Sequence, residues 1–283
     1  MVEVLTFRCE NLLSHNCGDD MNKNTLLKKA YYLFVSKYPD FPYTLNDIRL
    51  LPVTEDEYPL AFQNATNSLN LPVKATTDQL KQYSYQLKAE LLKTPKRAII
   101  IIRKSLLNAS DESLRIIVHE LAHAYHDIGF KNSPPTDDTM RFLFQIGERM
   151  WKEFVAEYYS VQILQLEEQW DTDAIKREFK SLLYSPSLYP ERFGFFFMKC
   201  KATATSFSSV AEVADIKDRN VTDKLITVMN RIQSILEEGL RKSTTPEESN
   251  EFLIQLGTEI VTLVYHYYQC YNYLDIFLKQ VDG

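Results

Sequence analysis

The chain has 283 residues, 45% of them apolar and 25% charged, a globular composition long enough to bury one large core or two smaller ones. A net charge of −6 without a basic patch argues against nucleic-acid binding, and only 7 glycines with few turn dipeptides argue against an all-β chain of many hairpins. No run of about 18 uncharged apolar residues occurs, so no membrane span is expected.

Residues 1–21 read as a polar segment. Glu3, Arg8 and Glu10 leave no apolar stretch for a secretion signal. Cys9, Cys17, Cys200 and Cys270 are therefore expected to be reduced thiols of a cytoplasmic protein. The spacing of Cys9, His15 and Cys17 fits no familiar zinc module. Leu26, Leu27, Ala30, Leu33 and Phe34 predict a helix over 23–37 that ends before Pro39. From 41 to 77, prolines and turn clusters interrupt short apolar pieces such as Ile48-Arg-Leu-Leu51, which read as strands or irregular segments. Leu80, Tyr83, Leu87 and Leu91 predict a helix over 78–92, closed by Pro95. The consecutive isoleucines Ile99 to Ile102 mark 97–104 as the clearest strand.

Ser110 then caps a helix over 110–128, with Asp111 and Glu112 in its first turn and Gly129 as its stop. The prolines within 133–138 reverse the chain into a second long helix over 139–169, in which Gly147 reads as a mild defect. Further helices are expected over 174–183, 223–238 with Gly239 as stop, and 247–280 with Pro246 suited to the first turn. An aromatic piece at 193–198 and a short run at 210–214 lie between them. The expectation is a predominantly helical α+β chain in segments 1–21, 22–170 and 171–283, with a small N-terminal sheet and a helical C-terminal half.

The helix over 110–128 carries His119-Glu120-Leu121-Ala122-His123. Residues 119 and 123 stack one turn apart on a helix face, so both imidazoles can reach one metal ion with Glu120 beside them. The flanks Ile116, Ile117, Val118, Leu121, Ala122 and Ala124 predict a buried helix, and two buried histidines with a buried glutamate need a partner that a metal supplies. A catalytic zinc takes three protein ligands. His126 lies roughly 10 Å along the axis from His119, too far to share the ion, and reads as a packing residue or one beside the site. The elongated HExxHxxGxxH pattern fails, because His126 and Gly129 stand at its Gly and third His positions. Carboxylates of the next helix remain: Glu148, Glu153 and Glu157, of which the last two share a face.

The HELAH motif followed by Glu153-Phe-Val-Ala-Glu157 resembles the gluzincin metallopeptidases, over residues 98–160. The resemblance implies Glu153 as third zinc ligand; on helix geometry Glu148, which needs less offset but faces away from Glu157, is the fallback. Glu157 would orient a ligand histidine, a role usually filled by Asp. It further implies a zincin-like core in which the strand at 98–102 is the edge strand lining the cleft. The implied activity is hydrolysis of peptide or protein substrates by zinc-activated water with Glu120 as general base, an oxyanion donor coming from Tyr184, Tyr189 or His266. The alternatives are a catalytically silent metal-binding regulator and a helical interaction module with an accidental motif.

Overall fold

The computed structural model describes residues 23–72, 75–84, 88–108, 110–126, 133–165, 171–183, 190–212, 219–241 and 246–269. Segment 1–22 with Cys9 and Cys17, the side chains of Tyr83 and Ser110, and Leu87, Gly129, Tyr184, Tyr189 and Cys270 lie outside the described residues.

Strand β3 (Arg97–Arg103) is the middle of a three-stranded sheet, and its isoleucines are at most 7% exposed. Ile100 and Ile102 face one side of the sheet, Ile99 and Ile101 the other. A strand covered on both faces needs apolar residues at successive positions, which is why four isoleucines stand in a row. Each contributes about 2–3 kcal/mol relative to exposure. Strand β1 (Ile48–Val53) pairs parallel to β3 with Ile48 opposite Ala98, and β2 (Ala89–Thr94) pairs antiparallel with Thr94 opposite Arg97.

Helix α1 (Lys23–Lys37) has the predicted bounds and buries Leu26, Leu27, Ala30 and Phe34 on the Ile100 face. The other face is covered by α2 (Tyr58–Ser68) and α3 (Thr77–Ser84) through Tyr58, Ala65 and Leu80. Helix α2 replaces the strands or irregular segments expected after residue 51. The Thr54 amide donates to Glu57 and the Glu57 amide to the Thr54 hydroxyl, a reciprocal cap just ahead of a helix whose first turn accommodates Pro59. The helix expected over 78–92 stops at Ser84, and residues 89–94 form β2. Their leucine, glutamate and lysine favour a helix, but pairing with the isoleucine strand outweighs that weak local preference.

A 3-10 turn, Lys104–Asn108, leads from β3 into α4 (Ser110–His126), which lies on the Ile100 face beside α1. Asp137 caps α5 (Asp138–Leu164) by accepting from the Met140 amide at 2.8 Å, and Gln165 ends it in the left-handed conformation at φ 54. The remaining helices are α6 (Thr172–Leu183), α7 (Pro190–Thr203), the short α8 (Phe207–Ala211), α9 (Arg219–Arg241) and α10 (Pro246–Gln269). They form a second core with α5, rich in phenylalanine. The aromatic piece at 193–198 is thus the middle of a helix, and Pro246 opens α10 as expected.

Gly147 is no mild defect. It faces Gly257 of α10, and a Cβ on either glycine would collide with a backbone carbonyl of the other helix, Leu253 for Gly147 and Leu143 for Gly257. Gly239 does not stop α9; it lies within it, against the rings of Trp151 and Phe252. Among the described residues no helix is long and apolar enough to cross a membrane.

Candidate metal centre

Helices α4 and α5 run side by side in opposite directions, so residues four apart on one meet residues four apart on the other in reverse order. The His119 Nε2 lies 3.1 Å from the His123 Nε2 and 3.2 Å from Glu153 Oε2, and His123 Nε2 lies 3.4 Å from Glu153 Oε1. One ligand atom from each of the three residues lies within 4.8 Å of the others. Ligand atoms about 2.0–2.1 Å from a shared tetrahedral ion stand roughly 3.3 Å apart, so the spacing of the two imidazole nitrogens and the Glu153 carboxylate is compatible with one shared metal ion. Two histidines and one glutamate are also a familiar catalytic zinc set that leaves a fourth position open.

The site is largely buried: His119 is 8% exposed, Glu120 7% and Glu157 1%. Burial alone would push the His119 imidazole down, but Glu153 and Glu157 beside it raise it to about 10. Burial opposes ionisation of Glu153, yet the His119 and His123 imidazoles hold its carboxyl well below the usual range. The field that favours a proton here equally favours a cation among the same atoms. Burial raises Glu120 above an ordinary carboxylate; the histidines and the Leu91 amide pull the other way.

Of the predicted residues, Tyr184 and Tyr189 lie outside the described residues and the others take the following places. Glu157 sits one turn beyond Glu153, its Oε2 3.3 Å from His119 Nδ1 without the alignment of a hydrogen bond. Glu148 is not in the cluster: it pairs with Lys152 one turn along α5 at 3.0 Å. The His126 ring meets Trp151 edge-on, with centroids 5.9 Å apart, a packing role. His266 stands on α10 beside Lys224 and Arg231 of α9, with burial lowering its proton affinity.

The strand expected to line the cleft does not do so. Residues 98–102 are central in the sheet, flanked by β1 and β2, and β2 is the edge strand that packs along α4. From β2, Lys93 Nζ donates to the His123 carbonyl at 3.1 Å, and the Leu91 amide lies against Glu120. Glu90 accepts from the Tyr58 hydroxyl; burial and then the neighbouring Glu120 charge raise its proton affinity.

Other residues at the site carry no sequence signal at first sight. Phe195 of α7 stacks on His119 with centroids 5.2 Å apart and planes at 16°. Gly194 allows it, since a Cβ there would stand 3.0 Å from Glu153 Cβ and 2.9 Å from the Phe154 amide nitrogen. Arg115, one turn before His119, donates to Glu157. Tracing the motif's helix face four residues upstream would have found it; nothing local points to Phe195.

Comparison with known protein families, curated proteins and solved structures finds no match for this chain.

Proposed function

We propose that the chain is a zinc-dependent peptidase of gluzincin type, with His119, His123 and Glu153 as metal ligands and Glu120 as general base. The observation that carries this reading is the convergence of the two histidine Nε2 atoms, 3.1 Å apart, on the Glu153 carboxylate, whose Oε2 lies 3.2 Å from His119 and Oε1 3.4 Å from His123, with Glu120 on the same buried helix. An antiparallel edge strand beside the motif helix, and a following helix that supplies the carboxylates, support a zincin-like core.

Zinc bound here would lower the pKa of a water at the open position and polarise a carbonyl oxygen. The protein's own groups do the rest. Glu120, raised by burial, holds a proton more readily than a surface carboxylate, as a base must if it is to return that proton to a leaving amine. Phe195 walls one side of His119 and keeps bulk water from that ring. Lys93 fixes the turn of α4 that carries His123.

The test is elemental analysis and hydrolysis of a mixed peptide library by wild type and by His119→Ala and Glu120→Gln. One zinc per chain and cleavage are expected in wild type, zinc loss in the His119 variant, and retained zinc without cleavage in the Glu120 variant. Wild type without zinc would sink the reading, and zinc without cleavage would leave a metal-binding module.

A further inference from the structure

We propose that Arg115 is a positioning residue of the metal site, acting on His119 through Glu157; this rests on the zinc reading above. The Glu157 carboxylate is a bridge. Its Oε1 accepts from Arg115 Nη2, while its Oε2 faces His119 Nδ1 at 3.3 Å. Glu157 is 1% exposed, and a carboxylate so far from water is costly without a counter-charge. Arg115 supplies the charge from a position where 32% of its side chain still meets solvent, so only one partner loses its water.

The consequence falls on the histidine. An ionised carboxylate has no proton to donate, so the negative charge of Glu157 facing Nδ1 at 3.3 Å favours the His119 tautomer carrying its proton on that nitrogen. The Nε2 lone pair is then directed at the space between His123 and Glu153, where a metal ligand must point it. Arg115, His119 and His123 stand one turn apart on one face of α4, opposite Glu157 and Glu153 on α5. Nitrogen-bearing side chains of α4 and carboxylates of α5 alternate across the helix pair, and Arg115 is the outermost rung. Glutamate rather than aspartate at 157 has the reach to touch both Arg115 and His119 from α5.

The experiment compares zinc affinity, by competition with a chromophoric chelator, and the imidazole nitrogen NMR signals of zinc-free and zinc-loaded protein. Arg115→Gln is expected to bind zinc about 10- to 100-fold more weakly. Its His119 Nδ1 proton should exchange faster with water, and Arg115→Lys should recover most of the affinity. Because Arg115 acts through Glu157, the pair Arg115→Met with Glu157→Gln should lose no more than Glu157→Gln alone. That neutral pair leaves no stranded charge and serves as the test if Arg115→Gln does not fold. Zinc bound by wild type, with wild-type affinity in Arg115→Gln or in the neutral pair, would overturn the Arg115 role and leave the zinc reading standing. No zinc in wild type would overturn both.

Discussion

The Nε2 atoms of His119 and His123 face each other across 3.1 Å, with their rings nearly perpendicular at 87°. Two imidazoles meeting nitrogen to nitrogen can share a proton or an ion, and Glu153 forms the third corner. Glu153→Ala is accordingly expected to abolish stoichiometric zinc, whereas Glu148→Ala, which breaks a pair with Lys152 outside the cluster, retains it. Elemental analysis of the two purified variants decides the matter. Retention by the first and loss by the second would move the third ligand to Glu148.

Glu120→Gln separates base from ligand. The amide matches the carboxylate in shape, so zinc content and melting temperature should stay near wild type while turnover falls about 10²- to 10⁴-fold. A steady-state assay on any peptide that wild type cleaves reads this directly. Turnover by Glu120→Gln as fast as that of wild type would remove Glu120 from the chemistry.

Gly147 and Gly257 let α5 and α10 approach backbone to backbone. Alanine at either position must push the helices apart, and the expected cost is on the order of 3 kcal/mol, at the upper end of overpacking effects. Urea unfolding of each variant measures it. A loss under about 0.5 kcal/mol, the range of a surface change, would contradict the close crossing.

Burial pushes the Cys200 thiol in α7 up to about 12. At pH 8 only about one thiol in 10⁴ would then be thiolate, the form that reacts with alkylating reagents. Iodoacetamide treatment followed by peptide mapping should leave Cys200 unmodified in the native protein and label it in denaturant. Labelling at the same rate in both conditions would count against a buried thiol.

The pairing of His119 with His123 is legible in the sequence because one helix turn brings 119 and 123 together whatever the rest of the chain does. Glu153 is legible only as one of several acids, since choosing it over Glu148 depends on how far α4 and α5 slide past each other. Glu157 lies beside His119, and its arginine partner appears only when the helix face is followed back to residue 115. The sheet was harder to read. Ala89 to Thr94 has a helical composition and becomes a strand because β3 offers an open ladder, a decision made by partners distant in sequence. Helix α2 had its signal in Thr54, Glu57 and Pro59, which reads as chain breaks until the Thr-x-x-Glu cap is recognised. Phe195 reaches His119 only through tertiary packing at Gly194, which no local pattern announces.

The opposed pairing of α4 with α5 also bears on how the site is assembled. Arg115, His119, His123, Glu153 and Glu157 all belong to one helical hairpin, whereas β1 and β3 pair only after α2, α3 and β2 have intervened. The five side chains of the candidate site therefore depend on the packing of two helices consecutive in the chain, and the parallel strand pair contributes no residue to them.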